Sequence, residues 1–360
     1  MKLALTFPAL LLLVMTSHAA AQDDPPPESR REFRYSIAAI DDATFYSNLQ
    51  VPIPKVLNQV LIEPSFTVRY KPHWSLSSSV VGLTTTYSDT VTQLRVKETY
   101  AGLSAGDFDF MAGRRIVRWG TGYAFTAAGV LDPPRIPTNP TDRLNLNEGR
   151  DMVKADYVHG PHAFTLAWST AALAPAAANL HDASAFRYNV LVHGFDTALI
   201  AGDDRGGDAF GGITFTRVLG QAWELHGEAA WREHEAALLG AKYTTRLGVT
   251  FIGEFYTPPN IPYYRDMTIS PLAPRQHYLF LDAGKNRLRE RPGWKEWDLG
   301  AYMVANLNDR SYTAIFDANR RFGKRFSAYL HIEIPAGKAT SEYGATPYST
   351  ATSAGVRFQL

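Results

Sequence analysis

From residue 32 to the C-terminus, apolar side chains return at every second position. The clearest runs are Val60, Ile62, Phe66, Val68, Tyr70; Trp223, Leu225, Gly227, Ala229, Trp231; and Trp297, Leu299, Ala301, Met303, Ala305, Leu307. The positions facing the other way carry Glu63, Thr67, Arg69; Glu224, His226, Glu228, Arg232; and Glu296, Asp298, Tyr302, Asn306. A period of two puts one set on each face of a strand. Segments of the same kind recur near 32–40, 74–87, 92–103, 106–119, 151–159, 162–171, 184–193, 195–201, 209–219, 237–244, 247–256, 311–320, 325–334 and 349–360. Turn signals such as Ala105-Gly106, Gly160-Pro161, Gly220-Gln221 and Gly323-Lys324 punctuate them. Two places stay open: His277 to Ala283 reads as strand or loop, and His193-Gly194-Phe195 as a turn or a kink. A sandwich or propeller would also repeat strands. Apolar-out alternation and aromatic strand ends instead predict an all-β, transmembrane, antiparallel up-and-down barrel of about 16 strands, within 16 to 18.

Alternate connections are long. The segment 120–150 follows what should be the fifth, rising strand, so it belongs to the outer side; its length and its Pro133, Pro134, Pro137 and Pro140 suit a defined, inward-folding constriction loop. A second long outer loop is expected over 257–295. The barrel itself should occupy 32–360. Ahead of it, Lys2, the apolar run Leu3 to Met15, and Ala19 and Ala21 form a secretory signal over 1–21, with a proline-rich periplasmic lead-in over 22–31. That apolar run is shorter than the roughly 20 residues a spanning helix needs.

Composition narrows the functions. Lys and Arg total 36 against 35 Asp and Glu, so no basic excess favours nucleic acid, and none is expected as a partner. With no cysteine, thiol nucleophiles, Cys-ligated metals and disulfides are excluded. Gly102-Leu103-Ser104-Ala105-Gly106 matches a nucleophile elbow, but Asp107 to Phe110 begin a strand rather than a helix, so it reads as a hairpin turn. None of the ten histidines lies beside an obvious nucleophile. Neither enzyme activity, catalytic residue, metal nor cofactor is expected. Glu224, His226 and Glu228 share one strand face and read as polar lumen wall. Arg95, Lys97, Arg114, Arg115 and Arg118 form the densest basic cluster, expected to face Asp132, Asp142, Glu148 and Asp151 of the long loop across a pore. Trp119 is expected in the interfacial girdle, with Tyr123 and Phe125 left open between girdle and pore lining.

Val356, Phe358 and Leu360 alternate with Gly355, Arg357 and Gln359 at the chain's end. This resembles the terminal strand of bacterial outer-membrane barrels, although Leu360 stands where Phe is usual. With the repeated strands, it gives a resemblance to Gram-negative outer-membrane porins over 32–360. The resemblance implies an outer-membrane location, contact with membrane lipid and lipopolysaccharide, recognition by the assembly machinery through the last strand, and passive diffusion of small polar or charged solutes; homo-oligomerisation is left open. Gly113-Arg114-Arg115-Ile116-Val117-Arg118-Trp119-Gly120, followed by Asn147-Glu148-Gly149-Arg150-Asp151, is also similar to alginate-export-like barrels. That likeness implies an export conduit for polysaccharide or other envelope cargo as the alternative, with an outer-membrane hydrolase behind it.

Overall fold

The structure, a computed structural model, describes residues 31–70, 73–171, 182–204, 209–231, 235–258, 276–285 and 296–360. Its strands are β1 (Arg31–Ser47), β2 (Val56–Tyr70), β3 (Trp74–Thr86), β4 (Thr90–Ala105), β5 (Phe108–Arg115), β6 (Arg150–His159), β7 (His162–Thr170), β8 (Ala183–Val192) and β9 (Phe195–Asp204). They continue as β10 (Ala209–Leu219), β11 (Trp223–Trp231), β12 (Glu235–Thr244), β13 (Val249–Thr257), β14 (Tyr278–Lys285), β15 (Trp297–Asn306), β16 (Ser311–Phe322), β17 (Phe326–Ala336) and β18 (Thr350–Gln359). All 18 join one antiparallel sheet, each beside its sequence neighbours, and β1 pairs with β18 from Ala38 opposite Gln359 to Ser47 opposite Thr350. Leu360 extends this seam, its N–H donating to Ile37 O at 3.0 Å. Closure leaves no unpaired sheet edge, which is the condition for strands to cross hydrocarbon.

Both open places resolve toward the higher strand count. Tyr278–Lys285 is a strand laddered to β13 and β15. His193 and Gly194 make the turn between β8 and β9 with φ of 50° and 78°, the left-handed pair of a tight hairpin. Because β14 crosses the wall, 257–295 is not a single outer loop; the end of the barrel that carries the connection 116–149 is the loop end, and the end that carries the tight turns 160–161 and 193–194 is the turn end. Residues 259–275 and 286–295 within 257–295, and the expected signal and nearly all of the lead-in over 1–30, lie outside the described residues.

Side chains sort as the period of two requires. Leu94, Leu166, Leu199 and Leu239 point outward and are between 51% and 80% exposed, whereas inward Asp42, Thr214, His226 and Glu254 are at most 2% exposed. A water-soluble protein shows the reverse; a lipid-facing shell around a polar interior shows this. On β11 the outward row is Trp223, Leu225, Ala229 and Trp231, and the inward row is Glu224, His226 and Glu228.

One strand ends sooner than its sequence pattern. The run 106–119 reads as a full strand, but β5 stops at Arg115. Gly113 has φ of 124°, and a Cβ there would sit 2.3 Å from Thr99 O; at the return, a Cβ on Gly149 would sit 2.3 Å from the Arg115 carbonyl carbon. These two glycines let the chain leave the sheet and rejoin it in close backbone contact.

Arginine at Ala229, on the outward row of β11, should destabilise the barrel by about 2–4 kcal/mol where that row crosses the bilayer midplane. Equilibrium refolding into lipid vesicles measures it. The wild-type barrel should also run faster on a gel unheated than boiled.

Candidate functional site: the inward loop

Between Gly113 and Gly149 the chain turns into the barrel and meets the wall in nearly every sector. Burying an irregular segment creates a specific demand, because each amide N–H removed from water needs an acceptor. Two inward carboxylates supply many of them. Glu228 on β11 accepts from the N–H groups of Thr121 at 2.5 Å, Gly122 at 2.8 Å, Ala127 at 2.6 Å and Ala128 at 2.8 Å, and from the Thr126 hydroxyl at 3.0 Å. Glu254 on β13 accepts from the N–H groups of Tyr123, Ala124 at 2.9 Å and Phe125 at 3.4 Å, and from His226 Nε2 at 3.0 Å. Asp132, within the loop, takes Trp119 N–H at 2.6 Å and Gly120 N–H at 3.3 Å, and pairs with Arg135 at 3.3 Å. Burial pushes the Asp132 carboxyl up from its usual range, with the Trp119 amide and Arg135 opposing.

The rest of the loop continues around the wall. Tyr302 of β15 donates its hydroxyl to Thr138 O at 3.1 Å. Arg143 pairs with Asp42 of β1 and lies over the Tyr329 ring of β17, and its carbonyl accepts from Arg357 of β18 at 2.6 Å. Asn145 donates to Glu63 of β2 at 2.9 Å. Apolar contacts secure three stretches: Trp119, Ala128 and Leu131 against Ala167, Ala185, Ile200 and Phe210; Phe125 against Tyr256, Tyr278 and Phe280; and Leu144 against Ile40, Leu61, Val81 and Leu83. Each large side chain so buried is worth about 1.5–3 kcal/mol. The segment is therefore a collar pressed against the wall.

The basic cluster seen in the sequence divides. Arg114 makes a two-pronged pair with Asp151 at 3.0 and 2.6 Å, and strand alternation sets both on the outward row that carries Phe110 and Val153, not in the pore. Lys97 is buried and reaches Glu63 at 3.3 Å; a register shift between Ser79 and Val80 gives it this inward place beside Glu98, whose carboxylate takes Ile116 N–H at 2.8 Å. Arg95 pairs with Glu148 at 3.3 Å. Asp132 is occupied as above, and Asp142 caps the N–H groups of Leu146 and Asn147 at 2.9 Å each. The expected row of loop acids facing an arginine wall is thus absent among the described residues: these acids hold the loop itself.

Arg69, Arg115 and Arg118 have no carboxylate partner within ion-pair distance among the described residues. Arg115 lies 4.6 Å over the Tyr100 ring, and Arg69, Tyr100, Arg115, Lys154 and Asp156 line a recess of about 390 Å³ below the collar, toward the turn end. Arg118 is exposed on the collar near Asp142 and Pro133.

Glu224, His226 and Glu228 all lie on the inward face, but the latter two are covered by the loop rather than open to a lumen. Glu224 accepts from Tyr123 Oη at 2.8 Å and lies 3.6 Å from Lys242. Burial pushes the Tyr123 phenol up from its ordinary pKa. Trp119 belongs to the interior cluster and not to a girdle, because the strand that would have carried it outward has already ended. Glu254 and the connection 337–349 went unnoticed in the sequence. In that connection Glu342 accepts from Tyr278 Oη at 2.8 Å and Asn306 Nδ2 at 2.7 Å, so a second, shorter segment leans over the β14–β16 wall; burial raises the Glu342 pKa. The elbow-like Ser104 donates to Asp109 across the β4–β5 hairpin.

A closed antiparallel barrel, apolar outside and polar inside, with one long connection folded into it, is a porin-type barrel. Comparison with solved structures gives the same class. The chain is similar to Pseudomonas aeruginosa OprD, with a TM-score of 0.64 at 10% identity over 92% of this chain and 97% of that one. It is also similar to OccK11 (OpdR) of the same organism, at 0.62 and 10% over 91% and 96%, and to OccD3 (OpdP), at 0.60 and 8% over 91% of each chain. No protein-family model matches the chain, and no curated protein matches it by sequence.

Glu228→Gln and Glu254→Gln each replace an acceptor for several loop amides by a group that is half donor. Each unpaired buried amide costs about 1–3 kcal/mol, so the collar should loosen while the barrel stays closed. Single-channel recording should show noisier, larger openings with unchanged heat-modifiable mobility; traces identical to wild type would mean the carboxylates do not hold the loop.

Proposed function

We propose that the protein is a passive outer-membrane channel for small polar or charged solutes, with residues 116–149 as its constriction and with a preference for anions. The reading rests on one observation: the loop acids and the wall acids nearest the loop are engaged by loop amides and basic partners, whereas Arg69, Arg115 and Arg118 stand in the same interior without an acidic partner. In a narrow aqueous path with low-dielectric walls, uncompensated guanidinium groups raise the local concentration of anions. Arg118 stands at the collar and Arg115 and Arg69 below it, so an anion passing the constriction meets the recess next. The solute's own gradient drives the flux, and the protein contributes a polar route, an apolar outer face and a fixed width. The similarity to OprD and the Occ structures supports the barrel on which this reading depends.

Reversal-potential measurements in planar bilayers test it. Wild-type protein should favour chloride over potassium, and Arg69→Gln/Arg115→Gln/Arg118→Gln should move selectivity toward cations with the barrel intact. Replacing residues 118–147 by a short Gly-Ser link should raise conductance severalfold. Cation preference in the wild type, or unchanged conductance without the loop, would overturn the respective parts.

A further inference from the structure

Charges on the outward rows of the strands are sorted by height. Among the described strand residues, alternation points Arg31, Arg217, Lys285 and Arg320 outward at the turn end, and Asp41, Asp151, Asp203 and Glu235 outward toward the loop end. Arg114 alone breaks the order, and it is neutralised by Asp151. On the described strands no outward carboxylate lies at the turn end; Asp107, in the β4–β5 turn, lies 3.4 Å from His159. Three of the turn-end cations lie over aromatic rings: Arg31 at 5.9 Å from Tyr70, Arg217 at 4.4 Å from Phe195, and Arg320 at 5.5 Å from Trp297 and 4.9 Å from Phe322.

Arg320 has the most developed setting. It is exposed between Trp297 on β15 and Phe322 on its own strand, one hairpin turn from Lys324 and Arg325. The guanidinium stands within cation–π range of both rings and has no carboxylate partner within ion-pair distance among the described residues. A free anion in water would gain little at so open a place. A lipid phosphodiester fits it better, because the aromatic flanks can rest on the upper acyl chains while the guanidinium meets the phosphate.

We propose that the turn-end girdle binds the phosphate of anionic phospholipids, with Arg320, Trp297 and Phe322 as the principal site and Arg217 with Phe195 as a second. The inference rests on reading the barrel as membrane-spanning and concerns its outer surface, not its pore. The outward strand cations and their rings set the leaflet: the turn end sits among phosphate groups.

Full-length protein in a non-ionic detergent, titrated with dioleoylphosphatidylglycerol and observed by native mass spectrometry, tests the site. Wild type should retain phosphatidylglycerol in preference to dioleoylphosphatidylcholine, and millimolar inorganic phosphate should not displace it. Arg320→Gln should lower retention about fivefold, the equivalent of about 1 kcal/mol for one surface cation. Arg320→Lys should keep most of it, and Arg217→Gln, an independent variant, should lower it less. Equal retention of both lipids, displacement by inorganic phosphate, or unchanged retention in Arg320→Gln and Arg217→Gln would each overturn the proposal. Conductance recorded on the same samples separates the two readings: channels that conduct normally but show no lipid preference refute only the lipid site, whereas protein that never conducts refutes the channel.

Discussion

Every amide N–H taken out of water in this protein has to find an acceptor, and that requirement shapes both the wall and what lies inside it. In the wall it is met by the strand ladder, which works only because β1 returns to β18 and leaves no open edge. Inside, the long connection has no ladder of its own. Glu228 and Glu254 take over as acceptors for successive amides between Thr121 and Ala128, so the course of the loop is written by two side chains 100 or more residues away.

This division of labour has an electrostatic consequence. An inward carboxylate surrounded by backbone donors is a structural acceptor, and its charge is spent locally on short, charge-assisted hydrogen bonds. Lys97 with Glu63 and Arg143 with Asp42 cancel further charge where the loop meets β1 and β2. The formal charge of the whole chain, near zero, therefore says little about the field along the path, which depends on the few groups left unmatched. Arg69, Arg115 and Arg118 are such groups at and below the collar, and Asp282 on the inward row of β14 is one of the opposite sign.

The outer face follows a different rule. There the apolar rows meet lipid, and outward strand cations with aromatic rings stand at the turn end, outward carboxylates toward the loop end, with Arg114 paired to Asp151 among the latter. An inward guanidinium and an outward one are the same chemical group, but the first faces the barrel interior while the second lies over an aromatic ring on the outer face. Strand parity alone decides which role an arginine takes.

The barrel and the parity of its residues were legible in the sequence, since a period of two over successive segments with aromatic strand ends fits apolar rows against lipid and polar rows inside better than a sandwich or propeller. The sequence placed Trp223, Leu225 and Trp231 outward and Glu224, His226 and Glu228 inward, and it marked 120–150 as a loop too long for simple closure. Tertiary structure decided the rest. Trp119 reads as one more alternating aromatic until Gly113 lets the chain leave the sheet and carry it inside. Tyr278–Lys285 is short and stands between two proline- or arginine-rich stretches, so only its pairing with β13 and β15 makes it a strand and splits the expected loop. Glu228 and a pore-lining glutamate have the same local signature, an acid on the polar face of a strand. Whether such an acid meets water or the backbone of a distant loop is a non-local contact, and no pattern along the strand records it.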